Sequence, residues 1–207
     1  MKKALVVLGG GGKPPMTANF DIIICADSGF NSLADLDISV DYIVGDMDSI
    51  TQENLDMARD RGVCINSFEH DKDMTDGEIA VRMALEKGAD NITIWGGREG
   101  RLDHIFSSVD LLRIIPPDVS ARYNFLDDMV YLIREGESME VTDPTRIYSI
   151  LPSCCECKVS MIGFKWPLDS EVLVKGTTRG IHNEIIGKKG IIKSEKGELI
   201  VIVCDHG

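Results

Sequence analysis

Short apolar runs recur through the first half of the chain, at residues 5–8, 22–25, 42–44, 62–65 and 92–95. They are built mostly of Ile, Val and Leu without polar alternation, the pattern of strands buried on both faces. Stretches with helical spacing lie between or after them, at 33–36, 55–59, 76–87 and 103–115, with 122–126 a weaker candidate. The 76–87 helix opens on the capping-box pattern Thr75-x-x-Glu78, ends at Gly88 and buries Ile79, Met83 and Leu85. The 103–115 helix buries Phe106, Val109 and Leu112 and is stopped by Pro116 and Pro117. Strands alternating with helices predict a mostly parallel, Rossmann-like sheet with helices on both faces over residues 1–127. Beyond that point the texture changes. Runs at 130–133, 146–151, 158–162, 171–174, 190–193 and 199–204 are separated by Gly, Pro, Asp and Ser, with no strong helix. Residues 128–207 are therefore expected to form a smaller antiparallel β-sandwich domain.

Bulk composition narrows the function classes. A 43% hydrophobic and 27% charged chain is ordinary for a globular protein, and 207 residues can bury one large core or two small ones. The net charge of −12 argues against nucleic acid or an anionic membrane as partner. No apolar run is long enough to span a bilayer. Lys2 and Lys3 precede an apolar run, but it leads into Gly9-Gly10-Gly11-Gly12 rather than a cleavage site, so it reads as a first strand of a cytoplasmic protein. Cys25, Cys64 and Cys204 read as core residues. Cys154-Cys155-x-Cys157 lacks a second Cys or His pair at zinc spacing and reads as strand cysteines in a reducing compartment.

Two acidic clusters carry the candidate chemistry. Asp46, Asp48 and Ser49 follow the 42–44 run, and Asp71, Asp73 and Asp76 surround Lys72 and Thr75 ahead of a helix. Five carboxylates so grouped repel one another unless a hard divalent cation, Mg²⁺ foremost, gathers them. Asp27 follows the 22–25 run, and Gly96-Gly97 follow 92–95, so glycines and carboxylates converge on the carboxyl edge of the expected sheet. In the stretch 96–104 a glycine-rich turn lets Arg101 approach a triphosphate, while Asp103 caps a helix or completes a metal site. His104 beside it is as well explained by a structural role. Gly9-Gly10-Gly11-Gly12 fits neither the phosphate-loop nor the dinucleotide fingerprint, because Pro14 and Pro15 occupy required positions. It is either a tight turn or a backbone phosphate contact. A calcium-hand reading of the stretch from Asp71 fails at Asp76 and Arg82.

In this order and spacing, GDMDS, DKDMTDGE and GGREGRLDH resemble the three signature motifs of the thiamine pyrophosphokinase family. The similarity continues through Ala26-Asp27-Ser28-Gly29, Gly163-Phe164-Lys165-Trp166-Pro167-Leu168 and Ile181-His182-Asn183-Glu184. The resemblance implies transfer of the pyrophosphoryl group of ATP to the hydroxyethyl oxygen of thiamine, giving thiamine diphosphate and AMP. It implies Asp46, Asp48, Asp73 and Asp76 as Mg²⁺ ligands, with Arg101 and Asp103 joining the catalytic set. Asp27, Ser49, Asp71, Lys72, Thr75, Arg101 and His104 would hold the nucleotide. Trp166, His182 and Asn183 would meet thiamine, at the interface of a homodimer. Trp166 alone reads equally as a β-domain core residue or as an aromatic face for the cationic thiazolium. Met47 and Met74 replace an aromatic residue of the family pattern, and His182 replaces a small hydroxyl residue. The last departure keeps open another alcohol acceptor, such as a pterin. A nucleotide- or thiamine-binding module without turnover is a further alternative.

Overall fold

The computed structural model describes residues 1–10, 12–14, 19–68, 73–97 and 102–205. Two compact units divide the chain, Met1–Leu126 and Asp127–Gly207. It is a mixed α/β protein with a large, mostly parallel sheet and a separate antiparallel sheet.

In the first unit the described strands are β1 (Lys3–Val7), β2 (Ile22–Ala26), β3 (Tyr42–Gly45), β4 (Cys64–Ser67), β5 (Asn91–Trp95) and β6 (Ser120–Phe125). They run parallel in the order β4-β3-β2-β1-β5-β6. β1 is central, and Ala4, Leu5, Val6 and Val7 are all buried, which is why its sequence shows no polar alternation. The winding goes outward from β1 to β4 and resumes on the other side of β1 with β5. The carboxyl ends of β1 and β5 therefore flank the reversal point, where open α/β sheets collect ligands.

The helices are α1 (Gln52–Asp60), α2 (Asp76–Glu86) and α3 (Leu102–Ile114), with a 3₁₀ turn over Asp27–Ser32. Thr51 and Thr75 cap α1 and α2 by accepting the Asn54 and Glu78 amide N–H, each at 3.2 Å. Glu78 turns its carboxylate to the Arg82 guanidinium at 2.8 Å. One face of the sheet packs Leu5, Val7, Ile23 and Cys25 with Phe30, Leu33 and Ala58 of α1. α2 packs along β1, β2 and β3.

Several expectations for this unit need correction. Residues 33–36 form no α-helix; the chain there leaves a 3₁₀ helix through a turn. Residues 122–126 belong largely to β6, whose ladder with β5 outweighs its weak helical spacing. Phe106 is 67% exposed, because the face of α3 that meets the protein carries Ser108, Leu111 and Leu112 instead. Cys64 is exposed on β4, where neither face is fully covered.

The second unit holds β7 (Asp128–Ile133), β8 (Ser138–Val141), β9 (Arg146–Pro152), β10 (Glu156–Ile162), β11 (Leu168–Val174), β12 (Gly190–Lys196) and β13 (Leu199–Asp205). β13 pairs antiparallel with both β7 and β9. β11, β10, β12 and β8 form the separate antiparallel sheet in that order. Both sets contribute to a single core, with Tyr148, Ile150, Val201 and Val203 meeting Val159, Met161, Leu173 and Ile192. β13 shows the period-2 alternation of a half-buried strand, with Leu199, Val201 and Val203 inward. Among the described residues no helix is long and apolar enough to cross a membrane.

The two α3 positions give a direct test of this packing. Leu112→Ala is expected to cost about 2–5 kcal/mol of unfolding free energy in urea titrations, as a buried truncation does. Phe106→Ala is expected to stay within about 0.5 kcal/mol, as an exposed substitution does.

Candidate active site

The site is assembled from the segments that follow β1, β2, β3 and β5, together with the starts of α2 and α3. They enclose a cavity of about 710 Å³ in the first unit. Of the residues expected from sequence, Asp27, Asp46, Asp48, Ser49, Thr75, Asp76 and His104 all line it. The glycine run contributes Gly9 and Gly10 to the wall.

Three carboxylates form its centre. One oxygen from each of Asp27, Asp46 and Asp76 lies within 4.8 Å of the other two. Asp27 is only 8% exposed; Ser49 and the Ser28 backbone hydrogen-bond its carboxylate, while its Oδ1 has no partner among the described residues. Burial pushes the Asp27 carboxyl above the ordinary aspartate range, and the charges of Asp76 and Asp46 push the same way. Three carboxylates gathered around a buried aspartate match the all-oxygen donor set of a hard divalent cation.

Local backbone geometry makes this convergence possible. Asp27 and Met47 adopt left-handed φ values of 42° and 66°, uncommon for residues bearing a Cβ and placed at the two turns that carry the acids. Gly45 (φ 149°) lies between them: a Cβ there would come within 2.9 Å of Asp27 Cβ and 3.2 Å of Asp76 Cγ. The Asp46 carboxylate accepts the Asp48 N–H at 3.3 Å, and Ser49 Oγ donates to Asp48 Oδ1 at 2.8 Å. Asn31 donates to the Ser49 carbonyl at 3.2 Å and is itself held by Asn54 at 2.8 Å. The acidic turn is thus tied to the 3₁₀ helix and to α1. Behind the wall residue Gly97 the Tyr123 hydroxyl donates to the Gly96 carbonyl at 2.8 Å, and burial pushes its pKa up to about 12.

Known proteins resemble this chain in sequence and in fold. The family model for the thiamin pyrophosphokinase catalytic domain matches residues 15–120. A thiamine pyrophosphokinase of Bacillus subtilis is 30% identical over 97% of this chain and 98% of its own length. The chain belongs to the thiamine pyrophosphokinase family. A crystal structure of thiamine pyrophosphokinase from Bacillus subtilis superposes with a TM-score of 0.88 at 27% identity, covering all of both chains. The fold is also that of thiamin pyrophosphokinase from Candida albicans, with a TM-score of 0.84 at 18% identity, covering 99% of this chain and 89% of that one.

The residues of the ligand set implied by the family motifs do not all gather at the carboxylate cluster. Asp27, expected beside the nucleotide, joins Asp46 and Asp76 in the carboxylate cluster. Asp48 stays at the wall, exposed and bonded to Ser49. Asp73 is exposed ahead of the α2 cap and is not part of the described wall. Asp103 occupies the exposed first turn of α3, while His104, Ser107 and Ser108 of that helix line the cavity. Asp71, Lys72 and Arg101 lie outside the described residues.

The expected thiamine residues belong to the second unit. Trp166 is 51% exposed, so it is not a core tryptophan, and Lys165 Nζ sits 4.7 Å from its ring centroid. His182 is exposed with φ 61°, and its amide donates to Ser149 Oγ at 3.0 Å. Asn183 is buried behind them. It is 3% exposed; its Oδ1 accepts the Trp166 N–H at 3.1 Å and its Nδ2 donates to the Trp166 carbonyl at 2.7 Å. Its amide orients the Trp166 backbone and is not free for a ligand. Sequence reasoning also passed over Gly45 and Tyr123, whose roles lie in what they approach and not in any motif.

The carboxylate cluster sets a stability test. Because the folded Asp27 pKa is raised, its ionised form opposes folding, and that cost grows as pH rises through and above the ordinary aspartate range. In chelator near neutral pH, Asp27→Asn is expected to raise the melting temperature. Mg²⁺ is expected to stabilise the unmodified protein and to shift the variant far less, as followed by thermal denaturation.

Proposed function

We propose that this protein is an Mg²⁺-dependent thiamine diphosphokinase that transfers the pyrophosphoryl group of ATP to thiamine. The observation that carries the reading is the meeting of Asp27, Asp46 and Asp76 in one cavity of nucleotide-accommodating size. Those three residues would hold the cation. When bound, it would supply positive charge against the phosphate oxygens and help fix the triphosphate in line.

The remaining work falls to the chain itself. The reaction forms a bond between the thiamine hydroxyethyl oxygen and the β-phosphorus, and breaks the bridge to the α-phosphate. AMP leaves with the bridging oxygen, and the hydroxyl proton is lost. Alignment and charge neutralisation dominate such transfers. The amino end of α2, with Thr75 as cap, and the Gly9-Gly10 backbone offer N–H groups to phosphate at the cavity wall. Ser49 and His104 line the same wall. By their motif positions, Asp71, Lys72 and Arg101 are assigned to the triphosphate, and Asp73 and Asp103 to its periphery.

For the acceptor, the exposed Trp166 ring is the proposed platform for the cationic thiazolium, with His182 nearby in sequence and Asn183 supporting it from behind. Exposed Ile162, Val172, Val174 and Ile186 on the second unit favour a homodimer in which this unit completes a partner's thiamine site. We accordingly read the first unit as the Rossmann-like nucleotide domain and the second as a β-sandwich for thiamine binding and dimerisation. The unpaired cysteines suit a cytoplasmic protein. A pterin acceptor, suggested by His182 alone, and a module without turnover are both less well supported than the family's own reaction.

Incubation with ATP, Mg²⁺ and thiamine should yield AMP and thiamine diphosphate, resolved by chromatography. Formation of ADP and thiamine monophosphate would contradict the proposal. Asp46→Asn is expected to lower kcat by about a hundredfold or more, as loss of a preorganised charge-stabilising group does. Trp166→Ala is expected to raise KM for thiamine about three- to thirtyfold with a smaller effect on kcat, matching a cation–π contact of roughly 0.5–2 kcal/mol.

A further inference from the structure

The proposed reaction leaves unused a group of cysteines in the β9–β10 turn and the first residues of β10. Cys154 and Cys157 are free thiols whose sulfurs lie 3.4 Å apart. Cys154 is exposed, whereas Cys157 is 1% exposed in the core of the second unit. Cys154 Sγ donates to the Glu156 carbonyl at 3.0 Å, and Cys157 Sγ to the Glu198 carbonyl at 2.9 Å. Gly197 (φ 79°) stands against both: a Cβ there would fall 2.8 Å from Cys154 Sγ and 3.1 Å from Cys157 Sγ. The β12–β13 turn therefore leaves space for the two sulfurs to lie side by side.

We propose that Cys154 and Cys157 form a reversible dithiol–disulfide site that exchanges with small-molecule disulfides. Cys154 is the attacking sulfur and Cys157 the resolving one. In the first step the Cys154 thiolate bonds to one sulfur of the disulfide RSSR, whose S–S bond breaks and releases RS⁻, which takes a proton from water. Cys157 then gives its proton to solvent and bonds to Cys154 Sγ, expelling the second RS⁻. Two protein thiols are oxidised by two electrons, and RSSR is reduced to two RSH.

The surroundings assign these roles. Exposure lets a disulfide reach Cys154, and hydrogen bonding from the Glu198 backbone pulls its thiol below the ordinary range. Burial pushes Cys157 up and keeps it from reacting first. Its sulfur nonetheless lies close enough that closure to a bond of about 2 Å needs only a small side-chain shift. The Glu198 carbonyl also accepts the Ser153 N–H at 2.9 Å, so it keeps a partner when Cys157 loses its proton. All of this rests on the second unit and is independent of the transfer reaction.

The test uses the full reduced chain exposed to oxidised glutathione, quenched with iodoacetamide and mapped by peptide mass spectrometry. The expected product is a Cys154–Cys157 disulfide, short of two hydrogens, with Cys155 alkylated, reversed by dithiothreitol. It should form at least about tenfold faster than glutathionylation of the exposed Cys64, which serves as an internal reference. Cys157→Ala should stop at a stable Cys154–glutathione mixed disulfide, although the mapping of the unmodified chain decides the matter without it. Bonding through Cys155, or reaction at Cys154 no faster than at Cys64, would overturn the proposal.

Discussion

Mutual repulsion among three carboxylates is the constraint around which the first unit is built. Asp27, Asp46 and Asp76 come from three separate segments, and their like charges repel one another. The scaffold imposes it. Parallel strands end side by side, Gly45 leaves room for two neighbouring acid side chains, and left-handed residues at 27 and 47 aim the turns. Among the described residues the buried Oδ1 of Asp27 has no hydrogen-bond partner, a polar atom for which the proposed cation would account.

How much of this could be read in advance follows from how each feature is encoded. The parallel strands were legible because burial on both faces removes polar alternation, as in β1 and β2. β6 was not, because Ser120, Arg122 and Asn124 interrupt its pattern and its strand character comes from the ladder with β5. β8 was missed for a related reason: only four residues long, it shows Met139 and Val141 between acidic neighbours. Phe106 was misplaced because helical spacing fixes a stripe but not which stripe faces the protein.

The site was legible to the extent that its chemistry is local. Asp46 and Asp76 announce themselves by clustering, and the Thr75 cap by its spacing from Glu78. Asp27 stands alone in sequence, so its membership of the cluster emerges only when β2 is laid beside β3. Asp73 lies in the same acidic run as Asp76 but is not among the described residues lining the cavity. Asn183 shows a feature no motif reveals: its buried amide holds the backbone of Trp166.

That amide clamp has a practical consequence for anyone dissecting acceptor choice. Because Asn183 grips the main chain on either side of the indole-bearing residue, altering it would tilt the ring and mimic the loss of a direct contact. Saturation screens would score it as an affinity determinant, and a redesign based on that score would spend its effort on a strut. In the proposed thiamine site, positions 166 and 182 are the exposed surface to recontour, and position 183 is the bracket behind it.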